Sequence, residues 1–431
     1  MGFKKMKYLL LLSLFFGEPY RGSSQQLTLE ECHQLARANY PSVKKLELIS
    51  KSVEYDIQNA GKRFFPQVSF SGQATYQSQT INFSEVMGSL PGIAMPSVSK
   101  DQYRVQGEIS QLVYDGGNTG YQKELIRSNG ALQEQSLEAG IYALNSRVNT
   151  LFFSVLLIDA QLKQNEISRK NLSEQIQKTE ASLANGNAFR SSLNELKAEV
   201  LNMEMAATDY RFNRSAYLKM LSLMIGKELG ETHQLMVPVT GHGVSELSGA
   251  DINRPELRTF DLQRKVYDVQ IRQLRADYFP QVSAFFQGAY GRPTINIIEN
   301  RFGPWYVAGM RFNWTLGNLY TRSNRKSLLL TGQNSVEADR ETFLFNVRLD
   351  LSREDEQVKK YNGLIDQDNQ AIGLRDSVAR SAEAQLANGV ITTHEYLQKV
   401  NALNLALQNK ILHEVLLLQA MYNQKFISGN P

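Results

Sequence analysis

The chain has 431 residues, of which 42% are hydrophobic and 21% are charged, so it is neither collagen-like nor disordered. Lys and Arg number 47 against 43 Asp and Glu, a net charge of +4, and residues 1–24 carry +3 of it. The nearly neutral remainder excludes the clustered basic face of a nucleic-acid-binding protein. The single cysteine, Cys32, excludes a disulfide framework within the chain and metal sites built from several cysteines.

Residues 1–24 have the pattern of a secretory signal peptide. Lys4, Lys5 and Lys7 precede the apolar run 8–16, and small residues follow at 22–24, where cleavage is expected. Beyond residue 24 no stretch approaches the ~18 continuous apolar residues of a membrane-spanning helix. If the exported chain enters a membrane, we therefore expect it to do so as a β-barrel.

The sequence is internally duplicated. Residues 39–76 align without gaps with residues 253–290, and both segments contain Phe-Pro-Gln-Val-Ser. A second shared block, Glu-Ala-x-Leu-Ala-Asn-Gly, occurs at 180–186 and 383–389. Two blocks in the same order about 200 residues apart indicate one duplicated half rather than a short solenoid repeat. The predicted organisation is a signal peptide (1–24), a first repeat (25–226), an irregular connection (227–252) and a second repeat (253–431).

Each repeat is predicted to contain one β-hairpin. After Pro66, apolar residues such as Val68 and Phe70 alternate with polar ones such as Gln67 and Ser69, the two-residue period of a strand. The first strand of the second repeat shows the same alternation, and its return strand from Trp305 is less regular. The four predicted strands lie at about 66–77, 103–114, 280–290 and 305–316. Each hairpin thus has one apolar and one polar face.

Long heptad patterns surround the hairpins. In the second repeat, Leu344, Leu351 and Val358 begin a series in which an apolar residue recurs at every seventh position, which predicts helices that supercoil with a left-handed twist. In the first repeat Arg214 interrupts a similar series. No proline occurs between residues 118 and 186, so one helix there would reach ~100 Å. The predicted long helices lie at about 118–185, 187–226, 318–387 and 390–427.

Four strands are too few to close a barrel, and lipid leaves unpaired strand edges unsatisfied. Two, three or four copies of the chain would supply 8, 12 or 16 strands, and the larger barrels leave a lumen. The Gln-, Ser- and Thr-rich faces suit a water-filled lumen, and the apolar faces suit lipid. The hairpins are then expected at one end of a helical tube and the Asn-Gly turns at the other.

The sequence resembles the TolC family of outer-membrane efflux and secretion channels over nearly the whole mature chain. The residues that carry the resemblance are the opening Leu-Thr-Leu-Glu-Glu from Leu27, the two Phe-Pro-Gln-Val-Ser strand entries, Tyr-Asp-Gly-Gly from Tyr114, and the two Leu-Ala-Asn-Gly turns. Ser-Leu-Asn-Glu-Leu from Ser192 and His-Glu-Tyr-Leu from His394 follow those turns.

The resemblance implies a mainly α fold with a transmembrane β-barrel part, in which a homotrimer forms a 12-stranded β-barrel joined to a periplasmic α-helical barrel. It implies location in the cell outer membrane with a long periplasmic extension, and contact with outer-membrane lipid. It also implies docking to a periplasmic adaptor (membrane fusion) protein and an inner-membrane pump of the resistance-nodulation-division or ABC type. No cofactor is implied.

The resemblance also indicates site residues at the two helical turns. The adaptor-contact turns correspond to Asn185, Gly186, Asn388 and Gly389. The gate candidate of the second repeat is Glu395, and three such carboxylates around a narrow tube would attract cations. In the first repeat the corresponding position is Asn194, with Glu195 beside it, after a two-residue shift in spacing. The alternatives are that Glu395 is a solvated helix residue and that the glycines are helix C-caps.

Catalytic and metal chemistry are not indicated. The five histidines lack the spacing of a zinc site, and no nucleophile, base and orienting acid can be grouped. The glycines at 116, 117 and 120 are expected to turn a strand into a helix, and Cys32 is expected to be buried and unreactive. Two functions remain: a passive trimeric export duct driven by its partners, and a periplasmic coiled-coil scaffold without a pore.

Overall fold

The computed structural model describes residues 26–81, 97–238, 252–296 and 300–430, which form a mainly helical protein with one small β-sheet. The predicted signal peptide and residues 239–251 of the predicted connection lie outside the described residues. The helices are α1 (Leu29–Asn39), α2 (Lys44–Gly61), α3 (Asn118–Tyr142), α4 (Leu144–Ala184), α5 (Arg190–Ile225), α6 (Pro255–Ala276), α7 (Arg322–Ala387) and α8 (Thr393–Ser428). The strands are β1 (Gln67–Tyr76), β2 (Asp101–Tyr114), β3 (Gln281–Arg292) and β4 (Gly303–Asn313).

The helix expected over 118–185 is divided. Helix α3 ends at Tyr142 and α4 begins at Leu144, and Ala143 between them keeps right-handed helical φ and ψ of −62° and −17°, so the predicted helical stretch is interrupted at a single residue. The Tyr142 ring stacks on the Phe426 ring with centroids 5.0 Å apart, and the Tyr142 hydroxyl donates to the Phe426 carbonyl at 2.8 Å. The residue before the break is thus held by a contact across 284 positions. Heptad spacing contains no information about such a contact.

The four strands form one antiparallel sheet in the order β1-β2-β3-β4. The two predicted hairpins are present, and the pairing of β2 with β3 joins the hairpin of one repeat to that of the other. Strands β1 and β4 are the sheet edges and run antiparallel to each other, because three successive antiparallel pairings separate them.

The register places polar and apolar residues on opposite faces of the sheet. Ser71 lies opposite Gln106, which lies opposite Ala289. The face they share carries most of the polar strand residues. The other face carries exposed large apolar side chains, up to 83% exposed at Phe70; the others include Val105, Phe286, Tyr290, Tyr306, Met310 and Phe312.

The chain divides into two compact units, each built from both sequence repeats. Unit 1 contains residues up to 36, 148–242 and 364–418, and unit 2 contains 37–147, 243–363 and 419–431. The compact units therefore do not coincide with the repeats, and the division at 227–252 stays a prediction about sequence duplication.

In unit 1, helix α1 packs into the helical core. Cys32 of α1 is fully buried, as are Val148, Phe152 and Val155 of α4. Burial raises the pKa of the Cys32 thiol to about 12, with the charge of Glu31 adding to the effect. The prediction that Cys32 is buried is confirmed, and its high pKa keeps the reactive thiolate scarce.

In unit 2, helix α3 packs against α2 and α6. The α2 contact is close at Gly130, where an added Cβ would clash with a methyl group of Val53. Asp115 turns β2 into α3, because its carboxylate accepts the N–H groups of Gly117 at 2.9 Å and Thr119 at 2.7 Å. The strand-to-helix interpretation of this glycine-rich segment is confirmed.

Among the described residues, one helical stretch, Asn118–Ala184, is long and apolar enough to cross a membrane by length and composition alone. Its most apolar window is 56% buried inside the protein, and Val148, Phe152 and Val155 of this stretch pack in the core of unit 1. These properties are those of a buried core helix.

Candidate functional site

The two predicted turns have the same backbone geometry. Helices α4 and α7 are each followed by Asn and then by a glycine with positive φ, +75° at Gly186 and +69° at Gly389. In both turns the glycine N–H bonds to the carbonyl three residues earlier at 3.0 Å, and the next N–H bonds to the carbonyl five residues earlier at 2.8 Å. This pair of bonds is a Schellman C-cap, where a Cβ would be strained. The C-cap interpretation of both glycines is confirmed, and adaptor contact at the turns stays a prediction.

The helices that leave the two turns begin differently. Before α8, the Glu395 N–H donates to Thr392 Oγ1 at 3.2 Å, and the Thr392 N–H donates to Glu395 Oε2 at 2.8 Å. This reciprocal pair is a capping box. At the start of α5 the cap position is Phe189, which makes no side-chain cap bond and is 79% exposed. The first repeat thus presents an aromatic ring where the second presents a capped polar turn.

The gate candidates occupy exposed positions on α5 and α8. Phe189 and Thr392 each lie three residues after their glycine, so the helix starts show no two-residue shift. Counted in this way, the first-repeat counterpart of Glu395 is Ser192. Asn194 and Glu195 are exposed and lie two and three residues further along α5. A gate role for Asn194, Glu195 or Glu395 stays a prediction.

The capping box also stabilises the ionised form of Glu395. The Thr392 N–H, and then the Thr392 hydroxyl at 3.0 Å, hold the pKa of Glu395 below its ordinary value of 4.5. The carboxylate is therefore ionised at neutral pH and exposed to solvent. The alternative of a solvated helix residue is thus right about exposure, but Glu395 also has a defined structural partner.

An apolar cluster joins the two helical hairpins behind the turns. It combines Leu172 and Leu196 of the first repeat with Ala382, Tyr396 and Leu397 of the second, and each is less than 10% exposed. Burial, together with the charge of Glu383, raises the pKa of Tyr396 to about 12. The turns are therefore supported by a core to which both repeats contribute.

A groove of about 540 Å³ lies between the turns, lined by residues of both repeats that include Phe189, Ser192, Val390, Thr392 and Glu395. One wall carries an ion pair in which Lys178 Nζ of α4 lies 2.7 Å from Glu383 Oε1 of α7. Glu180, the first-repeat counterpart of Glu383, instead pairs within its own hairpin with Lys197 at 2.8 Å. The duplicated acidic position therefore makes different contacts in the two repeats.

The sequence patterns did not single out Thr392 or Lys178, and they included Glu383 only as the first residue of a duplicated block. The Thr-x-x-Glu spacing of a capping box was visible before α8 and identifies Thr392. The Lys178 to Glu383 pair spans 205 positions and has no local signal.

The described residues contain no group of three or more His, Cys, Asp or Glu side chains that could hold a metal ion. His33 instead bonds to the Asn149 side chain at 2.7 Å, and His413 lies 2.6 Å from the Asp368 carboxylate. These two histidines therefore take part in helix packing.

Comparisons with solved structures find the same fold in outer-membrane channels. CusC superposes with a TM-score of 0.68 at 14% identity, covering 94% of this chain and 92% of that chain. The Campylobacter jejuni CmeC outer membrane channel gives 0.62 at 13% identity, covering 93% and 85%. VceC, an outer membrane protein of Vibrio cholerae, gives 0.62 at 13% identity, covering 93% and 96%. At these identities the likeness establishes the fold.

A comparison with curated protein sequences finds no match. Residues 32–227 match the family described as outer membrane efflux protein. The match covers most of the first repeat, and the shared fold extends over both repeats. The family match therefore places residues 32–227 in the outer membrane efflux protein family, and the fold over both repeats is that of outer-membrane channels.

Proposed function

We propose that this protein is the outer-membrane channel component of a tripartite efflux or type I secretion system. In this role it is a passive trimeric duct that conducts cargo to the exterior, and it catalyses no reaction. The observation that carries the proposal is the four-stranded sheet, which has one polar face, one exposed apolar face and two unpaired edges.

The sheet edges support assembly into a closed barrel. Because β1 and β4 run antiparallel, β4 of one copy can pair with β1 of the next and leave every pairing in the ring antiparallel. Closure removes the exposed edges, which lipid cannot hydrogen-bond. The sheet alone is compatible with two, three or four copies; three copies, and hence twelve strands, is the number that the family resemblance implies.

The apolar face supports contact with lipid. Val105, Tyr306 and Met310 are each at least 65% exposed, and a soluble protein rarely leaves such a continuous apolar surface uncovered. Aromatic contacts lie near both ends of the sheet, between Tyr290 and Phe302 at one end and between Phe312 and Trp314 at the other. Aromatic girdles of this kind occur at the two interfaces of membrane barrels.

The two turns support docking and gating. We assign Asn185, Gly186, Asn388 and Gly389 to contact with a periplasmic adaptor protein, which links the duct to an inner-membrane pump of the resistance-nodulation-division or ABC type. The groove between the turns offers the exposed side chains of Phe189 and Val390. Glu395 is the leading gate candidate because its carboxylate is charged and exposed, and Asn194 and Glu195 are the candidates of the first repeat.

The test uses the mature protein extracted from outer-membrane fractions in mild detergent. Light scattering, with the detergent contribution subtracted, is expected to give the mass of three chains. In planar bilayers, Glu395→Gln is expected to give an open channel with a smaller cation preference than that of the unsubstituted protein. A monomer or elongated dimer in the soluble periplasmic fraction would instead support the scaffold without a pore.

Val105 and Gln106 are adjacent in β2 and lie on opposite faces of the sheet, so substitutions at these two positions test whether the apolar face contacts lipid. Val105→Lys places a charge on the apolar face, at a cost of ~2–4 kcal/mol if it lies at the bilayer midplane, and is expected to deplete the protein from the outer membrane. Gln106→Lys places the same charge on the polar face and is expected to assemble normally. Equal tolerance of both substitutions would contradict the membrane assignment.

A further inference from the structure

The polar face of the sheet carries few charges, and they do not balance. Within the described strands, the charged residues on this face are Arg104, Glu108 and Arg311. The other face carries Asp101 and Arg292, which form an ion pair with each other. The polar face therefore has two cations and one anion in each chain.

The single carboxylate is already partnered. Arg311 Nη1 lies 3.4 Å from Glu108 Oε1, and the Arg311 guanidinium also lies over the Phe285 ring, 4.8 Å from its centroid. Arg104 instead donates to a neutral amide oxygen, Gln73 Oε1, at 2.9 Å. The uncompensated charge of the polar face is therefore that of Arg104.

Arg104 lines a cavity of about 600 Å³ at the end of the sheet where the strands enter their loops. Gln73, Gln102, Thr75 and Trp305 line the same cavity, and its lining includes no carboxylate among the described residues. Arg292 also lines it, but its charge is compensated by the ion pair with Asp101. The Arg104 guanidinium thus faces an open, amide-rich space that has hydrogen-bond donors and a positive charge. These features suit carboxylate, phosphate or sulfonate groups.

We propose that Arg104 makes the outer mouth of the duct attract anions, so that the mouth favours cargo bearing a carboxylate, phosphate or sulfonate group. This inference rests on the proposed function, because it requires the polar face to line an aqueous lumen. In a trimer the uncompensated charge is present three times. Coulomb attraction at ~10 Å in water raises the local anion concentration about twofold per charge, and the effect falls as added salt shortens the Debye length.

The test measures the electrostatic potential beside Arg104 with a cysteine probe. Ser71→Cys is nearly isosteric, and Ser71 lies opposite Gln106, one diagonal position from Arg104 on the polar face. Cys32 is the sole native cysteine and is fully buried, so it adds no background reaction. The assembled protein in outer-membrane vesicles is treated with an anionic or a cationic methanethiosulfonate of similar size. Each rate of cysteine modification is divided by the rate of the same reagent with a small thiol in solution, and the anionic and cationic values are compared as a ratio.

At ~0.01 M salt, the anionic reagent is expected to modify the Ser71→Cys variant at least twofold faster than the cationic one. Arg104→Gln in the same background is expected to lower this ratio about twofold or more, whereas Arg104→Lys retains it. High salt is expected to bring all ratios towards one. If the ratio is close to one and Arg104→Gln does not change it, the inference is overturned. Modification of the Ser71→Cys variant would still show that reagents reach the lumen.

A second probe separates failure of this inference from failure of the duct. The thiol of Ala74→Cys would lie on the apolar face of the same strand and, under lipid, is expected to resist both charged reagents. If neither reagent modifies the Ser71→Cys variant, or if the Ala74→Cys variant reacts equally fast, the polar face does not line a lumen. Either result would overturn the inference together with the proposed function.

Discussion

At the scale of single residues, Arg214 interrupts the heptad pattern of α5 and makes specific polar contacts. It occupies a position of α5 where the heptad predicts an apolar residue, and its side chain is only 12% exposed. The guanidinium forms an ion pair with Asp159 of α4 and donates to the carbonyls of Glu231 at 2.6 Å and His233 at 2.8 Å. Arg214 therefore ties two helices of unit 1 to the segment that follows α5.

Replacing Arg214 is expected to be costly. Arg214→Ala leaves the Asp159 carboxylate and two carbonyls without their donor, which predicts a loss of about 3 kcal/mol in the free energy of unfolding. This loss is measured by denaturant titration in detergent, with unfolding monitored by circular dichroism. Arg211→Ala, an exposed arginine on the same helix, is the control and is expected to change stability by less than ~0.5 kcal/mol. Equal losses in both variants would contradict the assigned role of Arg214.

At the scale of elements, the two turns have the same C-cap and different helix starts. The bonds of the Schellman motif are local, so the shared Leu-Ala-Asn-Gly sequence reproduces them in each repeat. The N-terminal caps differ because Thr392 and Phe189 occupy equivalent positions. The start of α8 therefore depends on one carboxylate, and its stability is expected to depend on pH.

Acid is expected to loosen the first turn of α8. Folding lowers the pKa of Glu395, so the cap contributes its full stability to the first turn of α8 above the ordinary pKa of 4.5. This stability is lost as the pH falls through the lowered pKa. Hydrogen-exchange protection of the first amides of α8, corrected for intrinsic exchange rates, is expected to fall as the pH is lowered from 4.5 through the lowered pKa of Glu395. Glu395→Gln keeps an acceptor for the Thr392 N–H, so its protection is expected to stay flat with pH.

The Thr392 side chain provides a second check on the cap. Thr392→Ala removes the acceptor of the Glu395 N–H, and protection at neutral pH is expected to fall about fivefold. An acid response that persists unchanged in Glu395→Gln would show that another group titrates.

At the scale of the whole molecule, we expect apolar packing to hold the two repeats together more than charge does. Each compact unit contains segments of both repeats, so a single repeat lacks part of each unit. In unit 1 the repeats meet in the apolar cluster that includes Leu196, which is fully buried. The ion pair between Lys178 and Glu383 also joins them, but both side chains are about half exposed.

Separate alanine substitutions of Leu196 and Lys178 are expected to show how much the apolar cluster and the ion pair each contribute to the free energy of unfolding. Leu196→Ala leaves a cavity between the hairpins and is expected to reduce the free energy of unfolding by about 2–5 kcal/mol. Lys178→Ala removes a solvated ion pair and is expected to change it by less than ~1 kcal/mol. Both are measured by denaturant titration in detergent. A larger loss for Lys178→Ala than for Leu196→Ala would reverse this ranking of charge and packing.

Patterns that extend over a few residues determined much of this protein. Alternation predicted all four strands to within a few residues, and the Asn-Gly dipeptides predicted the two turns, because pleating and positive φ depend on neighbours in the chain. The duplication and the family resemblance were also readable from the sequence. The same local signals placed the candidate residues Gly186 and Gly389 in turns and Glu395 at the start of a helix, where the structure has them.

Contacts between distant segments were decided only by the tertiary structure. The break at Ala143, the partners of Arg214, the pairing of β2 with β3 and the bond from Lys178 to Glu383 each depend on residues far apart in sequence. The uncompensated charge of Arg104 also emerged only once the register had placed Glu108 beside Arg311. Local periodicity determines which face of an element is apolar, whereas packing determines which element meets that face.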